Sequence, residues 1–499
     1  MSNISGIIKS IQDIMRKDVG VDGDAQRISQ LVWLFFLKIY DDREAEQELL
    51  DDDFQSPLPE ELRWRNWAVN REGITGDILL DFIRTQLFPT LQTNLNVHLR
   101  SNEGAQARVI TMVFEDAINF MKSGTLLRQV INKINEINFN NTNDRHTFGG
   151  IYEQILKDLQ SAGNSGEFYT PRAVTRFIVN RVDPKLEDKV LDPACGTGGF
   201  LSCAIDHKRE HYVSSPSDEQ TLAESINGVE KKSMPHMLCI TNMILHGIDT
   251  PQQIRHDNTL ERPYKDYTEK DRVNVILTNP PFGGMEEDGI ENNFPAKFRT
   301  RETADLFMAL IIRLLKKDGR AAVVLPDGFL FGEGMKTRLK EALTTECNLH
   351  TIVRLPKGVF NPYTGINTNI LFFTKGDGTP DTATKNIWFY EHPYPEGVKS
   401  YNKSKPMTFE EFQPEIDWWG DEADGFSRRE TTEQAWQVSI EEIQKRNYNL
   451  DIKNPHIGEV INHDPEQLLA EYNQQQGDIQ ALRTQLKDIL SAALADNGQ

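Results

Sequence analysis

The run Asn279-Pro280-Pro281-Phe282 follows an apolar segment, Val273 to Leu277, with only Thr278 between them. Proline donates no backbone hydrogen bond, so a strand formed by that segment must end here. The Asn279 amide offers one acceptor oxygen and the Pro280 carbonyl a second, and the two prolines hold both at a fixed angle. Two such acceptors suit the two hydrogens of an exocyclic amine. Held this way, the nitrogen lone pair leaves conjugation and points at an electrophile. Phe282 adds a flat face on which a base can stack. Catalysis of this kind rests on positioning and electrostatics, with no covalent intermediate. The plainer alternative is a structural turn that ends a strand.

A second constellation lies upstream, in "VLDPACGTGGF". Val190 and Leu191 end a strand and Asp192 sits at its carboxyl edge. Gly196, Gly198 and Gly199 remove side chains where the turn is tight and a ligand must come close. The spacing differs from G-x-G-x-x-G and there is no Walker lysine, so a phosphate cradle is not indicated. Glu230 closes the next strand, in "NGVEK", where a carboxylate can accept both ribose hydroxyls of an adenosine. The interval is longer than the usual ~20 residues, and the polar stretch "SSPSDEQTL" accounts for the excess. Further upstream, in "SGEFYTPR", Thr170 suits an N-cap and Pro171 the first helical position. Phe168 and Tyr169 there are placed to wall a pocket.

These turns need a sheet to bring them together. From Asn164 onward short apolar strands alternate with helical segments, which predicts a parallel sheet covered on both faces. The fold class expected is α/β, with a doubly wound, Rossmann-like catalytic core over residues 165–380. Residues 1–164 read as helical throughout: Ile7, Ile8, Ile11, Ile14 and Met15 fall at helical spacing, and "GGIYEQILKDLQ" repeats the pattern. The run "LVWLFFLKIY" is well short of the roughly 20 residues that span a bilayer and is expected as a buried helix. Residues 381–463 are polar, rich in turn formers, and expected to be irregular. Residues 464–499 form a C-terminal helical arm. Leu468, Tyr472, Gln475, Ile479, Leu482, Leu486, Ile489 and Ala493 follow the alternating steps of a coiled-coil seam, although Gln475 and Gly477 weaken its middle. A helix packed on its own domain is the other reading of that pattern.

Among 499 residues, 75 acidic side chains outweigh 55 basic ones, for a formal charge of −20. Binding to a phosphate backbone rests on clustered Lys and Arg, so a nucleic-acid substrate would call for a basic partner. The four cysteines form no CxxC pair, which indicates neither zinc nor a disulfide framework. Reduced thiols and an N-terminus without an apolar signal core point to the cytoplasm and to no membrane.

The ordered set "GEFYTPR", "LDPACGTGGF", "GVEKK" and "TNPPF" resembles the N6-adenine DNA methyltransferases, and more closely the methylation (modification) subunits of type I restriction–modification systems. The likeness spans nearly the whole chain. It implies S-adenosylmethionine as cofactor and N6 of adenine in DNA as methyl acceptor. It also implies a separate specificity subunit that reads the sequence, with two modification subunits for each, and a restriction subunit. The resemblance puts Glu167, Phe168, Tyr169, Thr170, Pro171, Arg172, Asp192, Gly196, Thr197, Gly198 and Gly199 around the cofactor. Glu230 would hold its ribose, and Asp257 and Asn258 of "HDNTL" would approach its adenine. Asn279, Pro280 and Pro281 would form the catalytic turn. Phe282 would stack on one face of the target base, and Phe360, with Tyr363 as rival, on the other. For Phe360 an ordinary core role is the equal alternative.

Other readings remain at this stage. An amide nitrogen can also sit in an Asn-Pro-Pro turn, as in a protein glutamine N5-methyltransferase. A stand-alone adenine methyltransferase would carry its own target reader, and no basic recognition domain follows the catalytic turn. A non-enzymatic helical scaffold does not explain the intact Asn279 and Gly-rich turn.

Overall fold

In a computed structural model the chain is described over residues 4–95, 102–139, 170–361, 364–402, 405–456, 472, 474–477 and 479–487. Residues up to Ile452 form one unit and those from Lys453 a second. The first unit opens with helices α1 (Ile4–Met15), α2 (Asp24–Leu50), α3 (Asn102–Phe114) and α4 (Gly124–Ile134). The run Leu31 to Tyr40 lies within α2 and is buried on every side, as its composition predicts. Its Lys38 is tolerated because Asp42, one turn on, takes its ammonium at 2.5 Å. Among the described residues no helix is long and apolar enough to cross a membrane.

The core alternates strands with helices: α5 (Arg172–Val182), β1 (Val190–Asp192), α6 (Gly199–His211), α7 (Pro216–Ser225), β2 (Ile226–Glu230), α8 (Ser233–Leu245), β3 (Ile254–His256), β4 (Val273–Thr278), α9 (Thr303–Leu314), β5 (Leu315–Pro326), α10 (Met335–Glu346), β6 (Cys347–Arg354) and β7 (Thr368–Lys375). Two further strands, β8 (Asn386–Glu391) and β9 (Ala435–Ser439), complete one sheet in the order β3-β2-β1-β4-β5-β7-β6-β8-β9. The strands from β3 to β5 are parallel. Two expectations are corrected here. The sheet is mixed, because β7 runs antiparallel between β5 and β6. Residues 381–463 are not merely irregular: β8 pairs parallel to β6, β9 pairs antiparallel to β8, and Phe389 stacks on Trp436 at 5.4 Å. Short strands flanked by Gly, Pro and Asp carry little pattern, yet their aromatic side chains supply the buried area that holds them.

The strand order reverses between β1 and β4, and the crevice at the carboxyl ends of these neighbours is where open α/β sheets bind ligands. Along β4 successive side chains enter opposite cores, Val275 and Leu277 on one side and Ile276 on the other. The excess residues before β2 form α7, which Ser215 starts with a reciprocal capping box to Asp218. The N-terminal helices join the core at α8 and β3: Arg43 donates to Asp249 Oδ1 at 2.6 and 3.0 Å, and the Ser233 hydroxyl donates to Asp116.

One buried bond ties the two carboxyl edges together. The Thr278 hydroxyl donates to Asp192 Oδ1 at 2.7 Å, and the Ala194 amide donates to the same oxygen at 3.1 Å. Asp192 is 1% exposed. Burial raises its pKa to about 7; the Thr278 bond and the Ala194 amide oppose the rise and Glu230 adds to it. The folded state therefore keeps a proton that the unfolded chain releases near pH 4. This contribution to stability is full below pH 4 and falls as pH rises toward 7. Asp192→Asn keeps the acceptor and loses the titration. Between pH 4 and 8 the native protein should lose up to about 4 kcal/mol relative to this variant, measured by denaturant unfolding at each pH; parallel profiles would contradict the assignment.

Candidate active site

The Gly-rich turn is built from β1 outward. Asp192 ends the strand, the Cys195 amide donates to the Val229 carbonyl at 3.0 Å, and Gly196 turns with φ +53°. The Gly196 amide then donates to Glu230 Oε2 at 2.9 Å, so the carboxylate that closes β2 sits directly on the turn. Gly198 has φ +81°, and a Cβ there would lie 2.8 Å from Cys239 Sγ. Only glycine lets the backbone turn left-handed and rest on α8 at that point. Around Gly196 and Gly199 an added Cβ would meet nothing within 4 Å. Both line an open cleft, with Thr170, Asp192, Thr197 and Asn279. Residues about eighty positions apart thus share one small crevice.

The sequence singled out those six residues. It missed Thr175, Ala194, Cys195 and Phe200, which line the same cleft. Their signal was their place within or beside the motifs rather than their chemistry. The Cys195 thiol is held protonated: contact with Cys239 Sγ at 3.8 Å and burial both push its pKa up. Asn242 also escaped notice; its side chain donates to the Thr197 carbonyl at 3.1 Å and so fixes the turn from α8.

Arg172 braces the site from outside the crevice. Its guanidinium donates to the Gly199 carbonyl at 3.1 Å and the Ser202 hydroxyl at 2.7 Å, and pairs with Asp206 at 3.3 Å. It therefore pins the start of α5 to the start of α6. Pro171, expected as the first helical residue, occupies the N-cap position with ψ 139° and α5 begins at Arg172. The Thr170 hydroxyl does not cap the helix; it accepts from Asn279 Nδ2 at 2.9 Å.

The "HDNTL" segment closes the cofactor-side edge. The Asp257 amide donates to the Glu230 carbonyl at 3.0 Å, Asn258 Oδ1 accepts from the Leu260 amide at 3.0 Å, and the Thr259 hydroxyl donates to the Pro193 carbonyl at 2.6 Å. Asp257 is exposed and Asn258 half-buried.

At the catalytic turn, Asn279 Oδ1 is buried and has no hydrogen-bond partner among the described residues. Pro280 is buried and Pro281 half-buried beside it. The two aromatic candidates do not form one slot. Phe282 is 2% exposed in the apolar cluster that contains Ile276 and Phe298. Phe360 is 1% exposed in the other cluster, with Leu355 and Val359, and the core role describes it. Rings of this size gain more from full burial than an open face offers, so stacking on Phe282 would require its face to be cleared. Glu167, Phe168, Tyr169 and Tyr363 lie outside the described residues.

Comparison with known proteins matches this geometry. The family model described as N-6 DNA Methylase matches residues 143–464, and that of the HsdM N-terminal domain matches residues 4–134. The chain is 65% identical to the type I restriction enzyme EcoEI methylase subunit of Escherichia coli, over 99% of each chain. It is similar to a solved modification subunit from Vibrio vulnificus YJ016, assigned to a type I restriction enzyme, with 44% identity, a TM-score of 0.80, and coverage of 92% of this chain and 98% of that one. A structure on complex assembly and conformational transition of a type I R-M system contains a chain 34% identical, with a TM-score of 0.78 and 98% coverage of both. With its helical N-terminal domain, mixed sheet and Asn-Pro-Pro-Phe turn at the switch point, the chain belongs to the N-6 DNA methylase family, among the type I restriction methylase subunits.

Proposed function

We propose that the chain transfers a methyl group from S-adenosylmethionine to N6 of adenine in DNA, as the modification subunit of a type I restriction–modification complex. The observation that carries this reading is the Asn279 amide. Its Nδ2 is engaged by Thr170 while its buried Oδ1 lacks a donor among the described residues. A buried acceptor without a donor costs about 1–3 kcal/mol. Such an atom at the carboxyl edge of β4 fits a donor that arrives with the substrate. Oδ1 and the Pro280 carbonyl would take the two hydrogens of the target amine and hold its lone pair toward the cleft.

The residues around the cleft fit the cofactor. Gly196 and Gly199 leave room where it must lie close to the backbone. Glu230 accepts from the Gly196 and Lys232 amides, which hold its carboxylate at the turn where a ribose hydroxyl would bind. Asp257 and Asn258 stand beside it for the adenine, and Glu167 to Tyr169 are assigned by resemblance alone. When bound, S-adenosylmethionine supplies a methyl group on a positively charged sulfur. The protein aligns the acceptor nitrogen and keeps both partners in one crevice.

The charge of −20 supports delegating sequence recognition to a basic specificity subunit. The C-terminal arm supports an assembly role. Tyr472, Ile479, Leu482 and Leu486 of its seam are 43–59% exposed, which leaves an apolar stripe for a partner helix. Leu468, Ile489 and Ala493 lie outside the described residues. A restriction subunit would join the same complex, in the cytoplasm.

Asn279→Ala should reduce methyl transfer to DNA by about 10²–10³-fold or more, measured with radiolabelled cofactor and the specificity subunit present. Cofactor affinity by calorimetry should stay nearly unchanged. Retained transfer would remove the mechanism. Deleting the residues after Asp464 should weaken assembly with the specificity subunit, followed by sedimentation, more than it weakens cofactor binding. A truncated chain that still assembles fully counts against the arm.

A further inference from the structure

We infer that Thr170 is a positioning residue for Asn279, and that its hydroxyl, by holding Nδ2, steadies the amide whose Oδ1 is left for the target amine. The inference rests on the proposed role of Asn279. A primary amide is nearly symmetric in shape, and its oxygen and NH₂ exchange places by a half-turn of the terminal torsion. The two orientations are opposite in chemistry. One presents an acceptor to the incoming amine; the other presents a donor to a donor, and the lone pair is no longer aimed. A site built on this side chain therefore needs the amide held in place with its oxygen on the substrate side.

Thr170 does this. Its Oγ1 accepts from Asn279 Nδ2 at 2.9 Å, while Oδ1 is buried and has no partner among the described residues. The hydroxyl is available for the task because it does not serve the helix beside it. Pro171 takes the N-cap position of α5, and the Pro171 carbonyl accepts from the Val174 and Thr175 amides at 2.9 and 3.1 Å. Thr170 is itself held in place. Arg172, two residues on, is fastened to the Gly199 carbonyl and the Ser202 hydroxyl of α6. The segment from Thr170 to Arg172 thus spans the crevice from the catalytic turn to the helix that follows the Gly-rich loop. The resemblance to the family assigns Thr170 to the cofactor; its observed bond is to the catalytic amide.

The test uses the chain assembled with its specificity subunit and a DNA substrate. Thr170→Val keeps the shape and removes the acceptor; Thr170→Ser keeps the acceptor; Thr170→Ala replaces the valine variant if that does not fold. A net hydrogen bond of about 1–2 kcal/mol converts to about 5- to 30-fold in rate. The valine variant should lose that factor in kcat at saturating cofactor, with cofactor affinity and Tm as in the native chain, and the serine variant should restore the rate. Weakened cofactor binding with unchanged kcat at saturation would make Thr170 a cofactor ligand and overturn the inference. So would equal losses in the valine and serine variants. Asn279→Ala separates the two levels. If it is inactive while Thr170→Val is fully active, only the positioning role fails. If Asn279→Ala retains transfer, the reading of the site fails with it.

Discussion

The parallel pairing of β1 with β4 is the constraint on which the site depends. Val190 lies opposite Val275 and Leu191 opposite Ile276. That register brings two turns far apart in sequence to the same level of the same edge. One turn is almost all backbone, made of glycines that keep side chains out of the crevice. The other is stiffened by two prolines that leave Asn279 little freedom. Neither is a site by itself. The bond from Thr278 to Asp192 joins the last residues of the two strands, and burial raises the pKa of that carboxyl to about 7. A charged Asp192 would add a second carboxylate beside Glu230. A protonated one acts as a strut between the two strands without that added charge.

The arrangement divides labour between backbone and partner. Glu230, the Gly196 amide and the Asn242 side chain fix the Gly-rich turn through bonds within the chain itself. Preorganisation of this kind lowers the reorganisation needed at the moment of reaction. Sequence recognition leaves no comparable trace. The chain is strongly acidic, and the stripe that its described C-terminal residues expose is apolar rather than basic. In the proposed function the chemistry is local to one crevice and target choice is delegated to a partner subunit.

The catalytic turn and the Gly-rich turn were legible in the sequence because proline and glycine leave few conformations to choose from. The alternation of strand and helix was legible because a parallel sheet forces buried strands to read as apolar runs. The polar residues in excess between the glycine turn and the acidic strand end were legible, but not that they form α7. What the sequence did not show depends on pairing in space. The reversal of β7 leaves no mark on "NTNILFFTKG", since a strand buried on both faces looks the same in either direction. Strands β8 and β9 were hidden by the polar residues around them. Thr170 suited an N-cap by every local rule, and only the arrival of Asn279 from β4 gives its hydroxyl another partner. Phe360 could not be told from a stacking ring because both roles ask for the same side chain.

The state of the catalytic turn follows from what each group loses by being buried. An unsatisfied Oδ1 costs about 1–3 kcal/mol. Three residues on, the fully buried Phe282 ring contributes about 1.5–3 kcal/mol, which offsets that cost within the same turn. The turn thus tolerates an unmet acceptor because its aromatic neighbour is packed rather than offered to solvent. Asn279 Oδ1 is left as an unmet acceptor among the described residues, while Phe282 is covered by the chain's own core. A base that stacked on Phe282 would have to replace that packing with contacts of its own.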